Sequence, residues 1–466
     1  MENNEFEIEE YEPEAYDSGS VIKQLLAIGV PIALQNLISI GVSFVDTIMV
    51  GQLGEIKLGG VNQANQAYFF FTTIVFGLSI GAVIISARHW GRRETEPMRV
   101  ITGLTMRLCI IFGILVSAVV LLFPDKMMRI FADDPAVISE GVKYLKVIGW
   151  TYPITAFTGS YLISLRACGD VRVSMWIYAI SCLMNVFLNW VFIFGNLGAP
   201  RMEVQGAAIA TAICRATEAL LAFLYMNYAE HRINFRIKYI FKNAHDFWKP
   251  MARYGLPVLL SESIWGVGMT VQSAIIGNLG VSALAAYSVI YVIQDLVTVL
   301  MIGFVNGEMI ILSNLIGAGR VERAKKLVRT FNLVSAGFGA LMGLVIFAIS
   351  PLAPSFIVCS SETAAMIRSM MLVSSVMVFF LALSWNVSGG PLRAGGDTRC
   401  CAAIDVVSFF IFKVIIGNVT AFVLKLDPVA IYAILSSDEA FKGIAFYTRL
   451  KRGEWVHKKL SPEPEE

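Results

Sequence analysis

The feature that most constrains this chain is a succession of apolar runs of 20 residues or more, separated by short charged joints. A helix of about 20 predominantly apolar residues crosses the hydrocarbon core of a bilayer. Twelve spans can be drawn, roughly 22–50, 58–87, 100–123, 137–165, 173–194, 204–228, 247–276, 282–316, 324–349, 363–392, 401–424 and 429–447. The last is interrupted by Asp438, Glu439 and Lys442, but its place before a basic tail favours a span. The chain is 56% hydrophobic and 15% charged, whereas soluble domains carry about a quarter charged residues. In lipid every backbone polar group must be satisfied internally, so the expected class is an all-α integral membrane protein.

Basic residues set the expected orientation. The joints after even-numbered spans and the tail hold 24 Lys and Arg; the odd joints hold five, Lys57, Lys126, Arg129, Arg201 and Lys425. Positive residues stay inside, so both termini are expected in the cytoplasm of a multi-pass cell-membrane protein. Residues 1–20 are acidic and lack Lys and Arg. A signal peptide needs a basic start and a short apolar core, so a disordered cytoplasmic tail is expected there. Residues 450–466 are expected to form a second cytoplasmic tail.

The chain repeats itself. Pro31, Gly51, Gly54, Gly77, Gly81 and Gly91 recur as Pro257, Gly277, Gly280, Gly303, Gly307 and Gly317 at a constant offset of 226. Arg166-Ala-Cys-Gly169-Asp170 recurs as Arg393-Ala-Gly-Gly396-Asp397 at 227. Six spans per copy is an even number, so the copies enter the membrane in the same orientation. The expectation is two parallel six-helix bundles, 21–228 and 247–449, joined by a cytoplasmic linker over 229–246. Parallel repeats of this kind are a transporter architecture, with substrate between the halves and access alternating as they rock.

The first copy carries a carboxylate that the second lacks: Asp46 lies in the first span, and Gln272 stands at its place in the second copy. A charge at mid-helix costs about 2.5 to 3.5 kcal/mol on insertion scales, so Asp46 is expected to face protein or a water-filled cavity. Pro31 and Pro257 remove a backbone donor inside their helices and are expected hinges. In the second half Glu262, Asp295, Glu308, Asp405 and Lys413 also fall within apolar spans. Glu262, Gln272, Asp295 and Asp405, with Gln35, Gln63 and Gln66, are the candidate substrate-cavity residues; a structural hydrogen-bonding role is the alternative for each. Asp405 and Lys413 share a helix face but lie ~12 Å apart along it, too far to pair directly. Tyr68, Phe69, Phe70 and Trp265 are candidates for a pliable apolar cavity wall. The seven cysteines and four histidines have no metal-ligand spacing, no nucleotide-binding loop is present, and no cofactor or nucleic-acid partner is expected.

These residues resemble the multidrug and toxic compound extrusion (MATE) family of secondary efflux antiporters. The resemblance covers about 21–450. It is carried by Pro31, Val45-Asp46-Thr47, Gly51-Gln-Leu-Gly54, Leu165-Arg-Ala-Cys-Gly-Asp170, Asn185-Val-Phe-Leu-Asn189, Phe192-Ile-Phe-Gly195, Gln205-Gly-Ala-Ala-Ile-Ala-Thr211 and Leu392-Arg-Ala-Gly-Gly-Asp397. It implies a V-shaped pair of six-helix bundles in the lipid membrane. It also implies export of organic, often cationic and aromatic compounds in exchange for Na⁺ or H⁺. By the same resemblance the coupling-cation site falls on Asp46, Asn185, Asn189 and Thr211. Asn185 and Asn189 are four apart and so share a helix face. Several prokaryotic members carry a carboxylate where Asn189 stands, so the choice between Na⁺ and H⁺ stays open. Two other functions are weighed. A flippase for lipid-linked saccharides would need several basic residues inside spans to hold pyrophosphate, and only a few, such as Arg107, Arg215 and Lys413, lie there. An intramembrane prenyl-transferring enzyme would need clustered acids at a cytoplasmic span end; Asp133-Asp134 has no third acid and lies on an external joint. No obligate protein partner is expected.

Overall fold

The computed structural model describes residues 18–356 and 360–457; the acidic segment 1–17, Cys359 and the basic residues Lys458 and Lys459 lie outside them. Twelve helical passes run through the described residues. In the first half they are α1 (Ser18–Gly51), α2 (Glu55–Gly91), α3 (Thr95–Leu122), α4 (Pro135–Ile148, resumed after a 3-10 turn as Tyr152–Leu165), α5 (Arg172–Phe194) and α6 (Glu203–Leu224). In the second half α7 (His245–Gly277), α8 (Val281–Gly317) and α9 (Val321–Ile349) are continuous. Three are modified. α10 (Ser361–Val387) runs into a π turn at Ser388–Leu392, α11 (Thr398–Ser408) into π segments at Phe409–Ile416 and Val419–Val423, and α12 is split into Pro428–Ser436 and Asp438–Lys451. Nine helices of the described residues are each long and apolar enough to cross a membrane. α4, α7 and α12 are not among them. α4 and α12 are interrupted, and α7 is diluted by prolines, glycines and polar residues.

The duplicated glycines mark where the halves meet. α2 packs on α7, and α8 packs on α1. Gly81 lies against Gly255, and Gly307 against Leu25 and Gly29; Gly91 lies against Asn314, and Gly317 against Arg88. The two members of each duplicated pair thus make the same contact from opposite sides of a pseudo-twofold axis. Gly77 has the Leu259 Cα only 2.8 Å from where a Cβ would stand, and Gly303 has the Ala33 Cβ at the same 2.8 Å. Backbones this close leave no space for side chains. The contacts lie at the helix ends that lead into the basic joints. Toward the opposite ends the halves diverge and leave Phe44 and Ile48 of α1 and Val281 and Leu284 of α8 exposed. The result is a V whose apex is at the basic end. Gly54 and Gly280 start α2 and α8 with φ of 107° and 129°, a backbone region that only glycine occupies without strain.

The joint between the halves is ordered. Glu230, 1% exposed, accepts from the backbone N–H groups of Ile233 (2.7 Å) and Phe235 (2.8 Å). Arg99 of α3 donates to the Ile233 carbonyl and to the Tyr239 hydroxyl (3.2 Å), and Lys242 pairs with Glu96. Residues 229–246 are thereby strapped to α3. Asp134, on the joint between α3 and α4, caps α4 by accepting from Ala136 N–H at 2.8 Å. That pairing satisfies one of the helix's free N–H groups.

Candidate functional site

Two polar sites lie within the bundles, one in each half. In the first half Asp46 of α1 sits half-buried against α5, four residues short of the buried Val50. Asn189 Nδ2 donates to Asp46 Oδ1 and also to Asn185 Oδ1, the latter at 3.1 Å. The four-residue spacing puts both amides on one face of α5, and both are buried, at 2% and 0% exposure. This donation leaves Asn189 Oδ1 buried without a hydrogen-bond partner. Asp46, Asn185 and Asn189 thus converge from α1 and α5, with Thr211 on α6, the helix packed on α5. The donor set is one carboxylate and neutral oxygens, which suits a hard cation or a proton. No group of His, Cys, Asp and Glu suited to a metal ion occurs among the described residues.

Sequence reasoning missed the neighbouring ion pair. Arg215 of α6 binds Glu218 through two contacts, 2.9 and 3.1 Å, and Ser181 Oγ donates to Glu218 at 2.5 Å. The guanidinium lies over the Tyr68 ring, 5.5 Å from its centroid. The available signal was the spacing: Arg215 and Glu218 are three apart on an otherwise apolar helix and so share a face.

The second half encloses a cavity of about 350 Å³. Glu262, Gln272, Asp295 and Asp405 all line it, as does Trp265. Tyr287, Tyr291, Trp385 and Phe409 add an aromatic wall, and Asn36, Phe76 and Arg166 of the first half reach its base. Glu262 pairs with Arg393 at 2.9 Å. Gln35 accepts from Arg166 at 3.3 Å and does not line the cavity; Gln63 is half-buried and Gln66 exposed on α2, also away from it. Lys413 pairs with Asp438, not with Asp405, as the helix spacing required. The three charges that interrupt the last apolar run all turn inward: Asp438, Glu439 and Lys442 are buried and line the cavity. Their spacing, three and four apart, places them on one face of α12. Pro31 and Pro257 each lie inside a continuous helix.

The family model MatE matches residues 31–191 and again 257–419. The probable multidrug resistance protein NorM of Thermotoga maritima is 22% identical over 435 residues, spanning 93% of each chain. The multidrug and toxin extrusion protein 1 of Oryctolagus cuniculus is 23% identical over 93% of this chain and 76% of its own. Among solved structures, a crystal structure of MATE in the bent conformation superposes with a TM-score of 0.84 at 16% identity, over 93% of this chain and 96% of that one. An outward-facing multidrug resistance MATE family transporter of the MOP superfamily superposes with a TM-score of 0.82 at 17% identity, over 94% and 97%. The two matched segments take up most of both bundles and begin at the duplicated prolines, so the chain belongs to the MATE family of multidrug and toxic compound extrusion transporters.

Proposed function

We propose that this protein is a secondary antiporter that expels organic compounds in exchange for Na⁺ or H⁺, with Asp46 as the coupling carboxylate. The observation that carries the reading is the convergence of Asp46 with Asn185 and Asn189, where the Asn189 Oδ1 is a buried acceptor without a partner. A buried polar atom left unpaired costs about 1–3 kcal/mol, and a cation held between it and Asp46 would remove that cost. A proton or a Na⁺ neutralises the same carboxylate, so the two compete for one site. Neutralisation lets the first bundle repack around Pro31, where the helix lacks a backbone donor and bends at low cost. Repacking weakens the hold on the exported compound. Loss of the ion at the other face restores the charge and the accepting shape. With the basic joints in the cytoplasm, the V opens to the outside, the state in which compound leaves and ion enters. The acid-rich, aromatic second-half cavity suits organic cations.

The flippase reading finds less support. Arg215, Arg393, Lys413 and Lys442 are each paired with an acid, which leaves Arg166, bonded to Gln35, as a single basic group at the cavity where a pyrophosphate needs several.

The test is efflux of a fluorescent organic cation from proteoliposomes carrying a Na⁺ gradient or a pH gradient, imposed separately. Wild type should respond to one of them. Asp46→Asn should insert and fold yet respond to neither. Gradient-driven efflux by Asp46→Asn at the wild-type rate would refute the assignment and shift it to Glu262 or Asp405.

A further inference from the structure

The copy offset maps the first-half site onto a specific set of residues in the second half. Gln272 stands 226 after Asp46, and Lys413 stands 228 after Asn185. The matched segments of the two copies likewise start 226 apart, at Pro31 and Pro257, and end 228 apart, at 191 and 419. Extra residues in the second copy have structural room at the π turns Ser388–Leu392 and Phe409–Ile416, since a π bulge takes up an additional residue within a helix. The match ends at 191 and 419; beyond it Asp438 and Glu439 lie on α12, which follows α11 as α6 follows α5. The second-half set is therefore Gln272, Lys413 and the acids of α12.

The two sites lie between corresponding helices, but the charges are exchanged. In the first half Asn189, one helical turn beyond Asn185, the counterpart of Lys413, donates both to the Asp46 carboxylate of α1 and to Asn185. In the second, the Lys413 ammonium of α11 donates to Gln272 Oε1 of α7 at 2.5 Å. It donates also to the Leu435 carbonyl at 2.7 Å and faces Asp438 Oδ2 at 3.4 Å. The ammonium thus has two hydrogen-bonded oxygens and one carboxylate partner, and the residue is 6% exposed. The Leu435 carbonyl lies next to the break in α12 at Ser437, where the helix ladder is interrupted. Carboxylate, side-chain amide and backbone carbonyl around one buried positive charge is the ligand set of a hard monovalent cation.

We propose that the Lys413 ammonium is a tethered cation, filling in the second half the place that an exchangeable cation takes in the first. The second bundle then has a permanently loaded site, and ion exchange is confined to the first. The proposal rests on the reading of Asp46 as the coupling carboxylate, but its test does not. Lys413→Ala opens a cavity shaped for an alkylammonium beside Asp438. In thermal unfolding of the purified full-length protein, Lys413→Ala should unfold at a lower temperature than wild type. Ethylammonium should restore that temperature saturably, while the bulkier tetraethylammonium should not, and wild type and Asp46→Asn should ignore both. An ethylammonium response of equal size in wild type and Lys413→Ala, or none in Lys413→Ala, would overturn the proposal. If Lys413→Ala does not fold, the charge-matched double variant Lys413→Met with Asp438→Asn serves instead. It should fold and be indifferent to ethylammonium. Failure of that variant to fold would overturn the proposal, because the double change removes one charge of each sign and leaves Glu439 paired with Lys442. Retained rescue alongside an Asp46→Asn that still couples would instead remove the coupling assignment and leave the tethered cation standing.

Discussion

At the scale of single residues, unpaired atoms are the informative ones. Asn189 Oδ1 is one; the Glu308 carboxyl is another. Glu308 of α8 is fully buried and neither carboxyl oxygen has a partner. It lies against the π turn of α10, where a Cβ on Gly390 would come within 2.5 Å of its Cδ. Replacing an unsatisfied buried polar group by an apolar one of similar volume is often stabilising. Glu308→Met is therefore expected to raise stability by about 1–3 kcal/mol, read as a higher unfolding temperature of the purified protein. A lower one would mean that the carboxyl has a partner in the folded state. Asp46 stood out in the sequence because a carboxylate in an apolar run is costly. The state of Asn189 did not, because which atom of an amide is left over depends on what its neighbours donate. Asn189→Asp places a second carboxylate beside Asp46 and is expected to shift coupling toward Na⁺, measured as the ratio of efflux rates under the two gradients.

At the scale of elements, the duplicated glycines were legible as a repeat, but their two purposes were not. Gly54 and Gly280 are needed for backbone angle. Gly91 and Gly317 are needed for close approach, with the backbone of the other half against each. Gly51 has only a Leu58 methyl nearby, at 3.8 Å. Gly91→Val and Gly317→Val are each expected to cost about 1–3 kcal/mol by overpacking. Gly51→Ala should stay within about 0.5 kcal/mol. Unfolding temperatures of the three variants check this; equal effects at Gly51 and Gly91 would count against the contact. The last apolar run shows the opposite limit. Its charges argued against a plain span, and the structure accommodates them by breaking α12 at Ser437 and turning Asp438, Glu439 and Lys442 onto a polar cavity.

At the scale of the whole molecule, the backbone-to-backbone contact between halves lies toward one end, and the other end is open. If the basic end is cytoplasmic, Val281→Cys, 87% exposed at the open end, should react with an impermeant thiol reagent on intact cells. Glu454→Cys, exposed in the described part of the tail, should react only after permeabilisation. The reverse pattern would invert the topology and place the opening of the V toward the cytoplasm.

The sequence alone determined the membrane-spanning character, the number of passes, the duplication and the one carboxylate of the first-half helix, because each of these is written in local patterns. Apolar length is set by bilayer thickness, and a carboxylate in lipid has few tolerable places. Only the tertiary structure decided which polar residues meet. Gln35 pairs with Arg166 while its neighbour Asn36 reaches the second-half cavity, and Lys413 finds Asp438 across α11 and α12. The first choice depends on how α1 is rotated against its neighbours, and the second on π turns and a helix break that rotate a helix by about a residue. A rotation of that size leaves the hydropathy of a span unchanged, so the sequence pattern carries little trace of it, yet it determines which side chain faces which.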